Sequence, residues 1–199
     1  MKEKVTKKLL VEVAKQLFAT KGIENTTMND IAESSEKGRR TLYEYFKSKE
    51  EIYYAVIESE LDKLTEKHIE IVTQKITSQE KLIELINNHL GMIGETVKKN
   101  GNLETGIYRN FMMVEKVRKR FDSVELELFQ NVLAEGKRNE EFDIDNIKLT
   151  ANFWYYFIKG LEVPYVFGCI DQEYTKQYMN KLVNGALCFP VGQMRNTVK

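Results

Sequence analysis

Apolar residues return along this chain with the period of a helix, and no run alternates long enough to suggest a strand. Leu10, Val13, Ala14, Leu17 and Phe18 stand at i, i+3, i+4, i+7 and i+8, one face of a helix. Val5 and Leu9 extend that face toward the N-terminus. Gly22 follows the last periodic position, where a left-handed cap needs no Cβ. A first helix is therefore expected from about Val5 to Lys21. Thr26 or Thr27 then caps a short second helix that ends near Ser34 or Ser35, with Ile31 and Ala32 inward and Asp30 at the positive end of the dipole. Glu36-Lys37-Gly38 makes a turn. A third helix starts at about Arg39, with Leu42 and Phe46 as its inward pair, and Ser48 with Glu51 is spaced as a capping box for a fourth.

The fourth helix is expected from Lys49 to near Lys75, with Ile52, Val56, Leu61, Leu64 and Ile71 recurring and His68 outward. Thr77 or Ser78 caps a fifth that ends at Asn100-Gly101. A short sixth runs from about Leu103 to Met113, and a seventh from about Ser123 to Asn139. Asp145 or Asn146 caps the next. The last two carry the densest apolar stripes: Leu149, Phe153, Tyr156, Phe157, Gly160 and Leu161, then Tyr174, Tyr178, Leu182, Gly185, Ala186 and Phe189. Pro164 is expected to kink or end the first of these. Trp154 and Tyr155 give it a second apolar side, so it is expected to serve an internal core and a dimer interface at once. The fold class is all-α, with about nine helices.

Composition narrows the functional classes. The chain is 42% hydrophobic and 30% charged, ordinary for a globular protein, and Lys+Arg 30 balances Asp+Glu 30. The balance is not uniform: residues 1–50 hold eleven basic and eight acidic side chains, so the N-terminal end carries the positive excess. No continuous apolar segment follows the N-terminus, so no secretory signal is read. Lys159, Glu162 and Pro164 interrupt the greasiest window, which reads as a buried helix and not a membrane span. Cys169 and Cys188 lack metal or redox spacing and are expected to be reduced core cysteines in a cytoplasmic protein. There is no Walker or dinucleotide glycine pattern, no H-E-x-x-H and no cysteine–histidine pairing. An enzyme, a cofactor and a metal site are not expected.

Two short helices and a tight turn are the parts of a helix-turn-helix, in which the first helix braces the second and the second offers its N-terminal residues to base edges. Arg39, Arg40 and Tyr43 point away from the inward pair, and arginine can hold guanine O6 and N7 with two parallel bonds. Thr27, Tyr45 and Lys49 are spaced to reach phosphates, and Lys37 offers another such contact. The plain alternative for Arg39 and Arg40 is a solvated helix face.

From Leu9 to Val56 the chain resembles the N-terminal domain of TetR-family transcriptional regulators. The resemblance rests on Ala14, Leu17, Phe18, Gly22, Thr27, Ile31-Ala32 and the run Thr41-Leu42-Tyr43-x-Tyr45-Phe46-x-Ser48-Lys49-Glu50. It implies double-stranded DNA as partner, operator binding through the third helix by Thr27, Lys37, Arg39, Arg40, Thr41, Tyr43, Tyr45 and Lys49, and a homodimer paired through the last two helices. It also implies a DNA-binding domain over residues 1–48 and a regulatory and dimerisation domain over 49–199. In the family the turn usually reads Ala-Gly-Val-Ser; here Ser35, Glu36, Lys37 and Gly38 stand there, which unsettles the expected turn geometry. Inducer pockets of such proteins lie among the middle helices, where Met92, Tyr108, Phe111, Met112, Trp154 and Tyr155 suggest a mostly apolar or aromatic ligand. Arg109, His89 and Asn110 are candidates for polar contacts. A ligand-responsive repressor is the leading expectation. An interaction or nucleoid-associated protein on the same fold is the alternative.

Overall fold

The computed structural model describes residues 2–99 and 111–187. Eight helices form among the described residues: α1 (Lys2–Lys21), α2 (Met28–Ser34), α3 (Arg39–Tyr45), α4 (Lys49–Thr73), α5 (Ser78–Lys99), α6 (Phe111–Arg138), α7 (Ile147–Val166) and α8 (Gln172–Leu187). No strand occurs among them. The short helix expected from Leu103 lies mainly outside the described residues.

Local chemistry explains most of the boundaries. Gly22 closes α1 with φ 80°, and its N–H donates to the Phe18 carbonyl at 3.0 Å. Thr77 and Glu80 cap α5 reciprocally, Asn146 Oδ1 accepts from the Leu149 N–H at 3.0 Å, and Asp171 Oδ1 accepts from the Tyr174 N–H at 2.7 Å. Each such cap satisfies backbone donors that a helix start otherwise leaves open, at a gain of about 1 kcal/mol. Two expectations are corrected and a third is narrowed. α6 starts at Phe111 and not near Ser123, because no glycine or proline interrupts the stretch between them. Pro164 does not end α7, which continues to Val166; the missing N–H falls in the last turn, where Cys169 N–H still bonds the Pro164 carbonyl at 2.9 Å. Cys169 is exposed and not in the core; it follows Gly168, at φ 67°, in the turn after α7.

Two compact units divide the chain: Met1–Lys63 with Glu95–Phe121, and Leu64–Gly94 with Asp122–Lys199. In the first, Leu10, Ala14, Phe18, Ile31, Ala32, Leu42, Phe46 and Ile52 are buried, and Phe18 meets Tyr53 edge-on at 6.1 Å between ring centroids. Val5 and Leu9 do not join that core. They are 64% and 40% exposed, which corrects their place on the inward face. Lys15 and Glu60 tie α1 to α4 at 2.8 Å.

The second unit has its own core, with Leu82, Ile86, Leu90, Phe129, Leu133, Phe142, Ala151, Ile158 and Val183 among its buried side chains. α6 ends in a Schellman turn with Glu140 at φ 58°, and Phe142 N–H returns to the Gly136 carbonyl at 3.2 Å. The Phe142 ring then lies over Gly136 so closely that a Cβ there would sit 2.2 Å from Cδ2. Glycine is required by that close approach. The Glu141 carboxylate, placed by the same turn, accepts from Ser78 N–H at 2.7 Å and from the Ser78 hydroxyl at 3.1 Å.

Candidate nucleic-acid interface

The α2–turn–α3 unit is fixed by its caps. Asp30 N–H donates to Thr27 Oγ1 at 3.1 Å while Thr27 N–H donates to Asp30 Oδ2 at 2.7 Å, a complete capping box. Thr27 hydroxyl and backbone bonds, with Lys21 at 3.0 Å, hold the Asp30 carboxyl down at about 2. Thr26 instead is buried, its hydroxyl donating to the Gly22 carbonyl at 2.8 Å.

The turn departs from the family's residues but keeps a standard geometry. Ser35 is the buried C-cap of α2, its hydroxyl donating to the Ala32 carbonyl at 3.1 Å. Lys37 N–H bonds the Ala32 carbonyl and Glu36 N–H the Glu33 carbonyl, both at 3.1 Å, the two bonds of a Schellman motif. That motif puts Glu36 at φ 54°, left-handed backbone that favours glycine. Replacing Glu36 by glycine should raise the urea midpoint, by about 1 kcal/mol in stability, with the preferred DNA sequence unchanged. An unaltered midpoint would mean that the turn carries no strain. Gly38 then caps α3 in extended conformation, without a side-chain bond.

Arg39, Arg40 and Tyr43 are exposed, opposite buried Leu42. Arg40 Nε lies 3.4 Å from Glu44 Oε1, but with 94% and 59% of the side chains exposed the pair is weak and the guanidinium stays available. Lys37, Thr41 and Tyr45 are half-buried along the same unit, and Thr27 is exposed at its edge. Lys47 Nζ caps the far end of α3 at the Tyr43 carbonyl, 2.7 Å away. At the start of α4, Ser48 Oγ accepts from Glu51 N–H at 3.3 Å. The Glu51 carboxylate takes the Lys47 N–H at 2.6 Å, one residue before the position a reciprocal box would use.

Lys49 does something the sequence reading missed. Its ammonium donates to the carbonyls of Ile23, at 2.7 Å, and Glu24, at 3.3 Å, tying the start of α4 to the turn after α1. A lysine 26 residues from its carbonyl partner leaves no short-range signal.

In the second unit four helices each send one ionisable group to a single buried point: His68 from α4, His89 from α5, Glu125 from α6 and Glu162 from α7. His89 Nδ1 is 2.6 Å from Glu125 Oε1 and its Nε2 is 2.9 Å from Glu162 Oε1. Burial would depress the His89 pKa, but the charges and hydrogen bonds of Glu125 and Glu162 outweigh it and hold it up at about 9. His68, expected outward, is fully buried, in register with Leu64 and Ile71. Its Nδ1 is 3.6 Å from Glu125 Oε1, and burial, helped by the His89 charge, pushes its pKa down to about 3. Beside the cluster, Lys159 bonds Asp122 at 2.9 Å and lies 5.1 Å from the Tyr155 ring centroid.

Of the candidate ligand residues, Met92 is half-buried, and Trp154 and Tyr155 are buried. Tyr108 lies outside the described residues, as do Arg109 and Asn110. Phe111 and Met112 open α6. The stripe on α7 separates cleanly from its core side: Leu149, Phe153, Tyr156 and Phe157 are exposed while Ala151, Trp154, Tyr155 and Ile158 are buried. Tyr174 and Tyr178 of α8 are exposed too, and stack on each other with centroids 6.1 Å apart. Among the described residues no helix is long and apolar enough to cross a membrane.

Comparison with known proteins falls on the same segment. The family model "Bacterial regulatory proteins, tetR family" matches residues 10–56, from the core of α1 into α4. An HTH-type transcriptional regulator of Staphylococcus aureus (strain USA300) is 41% identical over 59 residues, 30% of this chain and 32% of that protein. The chain thus spans about a third of the length of the curated relatives it matches. Over about nine tenths of its length the fold is that of solved regulators. A putative transcriptional regulator from Saccharomonospora viridis, in complex with choline, aligns over 92% of this chain and 98% of its own with TM-score 0.75 and 15% identity. The regulator FadR from Bacillus subtilis, in complex with stearoyl-CoA, aligns over 88% and 96% with TM-score 0.64 and 18% identity. With α1 to α3 carrying both the family's residues and its capped helix-turn-helix, residues 10–56 form a DNA-binding segment of the tetR family of bacterial regulatory proteins.

Proposed function

We propose that this chain is a ligand-responsive transcriptional repressor that binds a pseudo-palindromic operator as a homodimer, with residues 1–48 as its DNA-binding domain and 49–199 as its regulatory and dimerisation domain. One observation carries the reading: the exposed Arg39–Arg40–Tyr43 face on a short helix that α2, two Schellman bonds and the Lys49 tie hold in place. Arg39 and Arg40 are its base readers, and Tyr43 and Thr41 extend the same surface. Thr27, Lys37 and Tyr45 serve the phosphates at the groove edges.

A second copy of the chain fits the exposed apolar face of α7 and α8. Gly160 and Gly185 interrupt that face, and a Cβ at either meets nothing within 4 Å inside the protomer. Each mid-helix glycine costs about 1 kcal/mol relative to alanine. Close approach of a partner helix accounts for that cost, which the protomer alone does not. For the ligand, the stearoyl-CoA and choline of the two neighbours support a small-molecule response in the second unit. Of the residues in that unit, Met92, Trp154 and Tyr155 are the ones we assign to an apolar or aromatic ligand. Its binding would favour one conformation of the dimer and thereby shift the spacing of the two α3 helices.

The test is Arg39→Ala against the preferred duplex and its single-base variants. The substitution should lose about 1–3 kcal/mol on the preferred duplex and relax selectivity at one position of each half-site, while leaving other duplexes nearly unaffected. An equal loss on every duplex would remove Arg39 from base reading. Adding a fatty acyl-CoA or choline should release the preferred duplex if either represents the ligand class. Retention under a broad panel of small molecules would favour the interaction-protein alternative.

A further inference from the structure

We propose that the first two turns of α1 form a second, sequence-independent DNA contact, in which Lys4, Lys7 and Lys8 grip phosphates flanking the half-site read by α3. The inference rests on the helix-turn-helix reading and extends the contact surface beyond it. Three observations lead there. First, these turns contribute little to the core: Val5 and Leu9 are largely in solvent, and burial on α1 begins at Leu10. A helix built only to pack could start a turn or two later without losing a buried side chain.

Second, the charged residues described as exposed in these turns are basic. Lys4, Lys7 and Lys8 stand at i, i+3 and i+4, one face of the helix, and all three are exposed. Like charges at that spacing repel and weaken a helix, so the arrangement needs an anionic partner to be favourable. Glu12 is one turn beyond Lys8 and Glu3 one turn before Lys7, leaving Lys4, beside both other lysines, with no acid at that spacing. The unpaired N–H groups at the helix start add positive potential of the same sign. Third, the location is fixed. The Lys7 ammonium lies 5.7 Å from the ring centroid of Phe46, the residue that caps the C-terminal end of α3. The basic turns therefore sit beside the recognition helix, within the same compact unit. A cation held by a ring at that point keeps its remaining donors for a phosphate oxygen.

The full-length protein with Lys4→Gln and Lys8→Gln tests this, with Val5→Gln and Leu9→Gln as the control for altered surface polarity. Binding to the preferred duplex and to a scrambled one is measured across a series of salt concentrations. Each phosphate contact contributes about 0.9 to the slope of log affinity against log salt. The lysine variant should therefore have a slope shallower by about 2 per protomer, with affinity for both duplexes lowered tenfold or more and the ranking of base variants unchanged. The control should keep the wild-type slope. An unchanged slope in the lysine variant overturns the proposal. So does an altered base ranking at constant slope. The scrambled duplex separates this from failure of the α3 reading: if the wild type prefers neither duplex but the lysine variant still flattens the slope, the α1 contact stands and base reading by α3 falls.

Discussion

Replacing His89 by alanine should destabilise the protein by about 3–5 kcal/mol, because it leaves the buried carboxylate of Glu125 and the part-buried one of Glu162 without the cation between them. The cost is that of broken pairing, not of a lost apolar contact, so His89→Leu should do no better despite its size. The same cluster sets a pH dependence whose sign follows from the two histidines. His89 is held at about 9, above its ordinary value of 6.5, so its contribution is complete below pH 6.5 and is lost as pH rises through 9. His68 is held at about 3, below its ordinary value, so between pH 6.5 and 3 the unfolded chain takes up a proton that the folded chain refuses. Stability from these two groups therefore peaks near pH 6.5 and falls on both sides, with a limiting slope of about 1.4 kcal/mol per pH unit for each. Urea midpoints at pH 5, 6.5 and 8.5 should show that maximum. The alkaline limb should flatten in His89→Gln. Wild-type stability that rises from pH 6.5 to 8.5 would contradict the assignment.

Placing glutamate at both Phe153 and Tyr156 should turn a dimer into a folded monomer and reduce operator affinity by about 10²–10⁴-fold. The two side chains are 68% and 69% exposed, so the protomer has no packing to lose there. In the dimer proposed through α7 and α8 the same positions would lie in the interface, where introduced charges would be desolvated without a partner. The loss in DNA binding follows from geometry: once one half-site is held, the second binding event is intramolecular, and separating the protomers removes that advantage. Sedimentation of the variant should give the monomer mass with an unchanged helical signal. A variant that remains dimeric would move the interface away from α7 and α8.

How far the sequence could be read depended on the range of the interactions. Caps are local, and the sites at Gly22, Thr27, Thr77 and Asn146 all stood among the residues proposed for them. The core of the helix-turn-helix was equally legible, because Ile31, Ala32, Leu42 and Phe46 keep their spacing. The buried cluster was not, because an ionisable side chain was assigned to solvent by type. Register carried the opposite signal: His68 lies between Leu64 and Ile71, and Glu125 between Phe121 and Phe129, each at an apolar position of its helix. Val5 and Leu9 failed in the other direction, since an apolar stripe continued past the point where another element was present to cover it. The turn at Glu36 shows why a departure in residue type need not change the fold: two Schellman bonds impose the left-handed conformation on a residue that disfavours it. The partners of Lys49 and the clamp on His89 depend on helices brought together from distant parts of the chain, and no local pattern encodes them.

Selection of bound duplexes from a random library tests sequence-specific binding by a symmetric dimer most directly. The expected result is enrichment of one pseudo-palindrome whose half-sites are centred about one helical turn apart or slightly more, with binding that weakens steeply as salt rises. A selected pool with no enriched sequence, bound as well as the starting library, would contradict it.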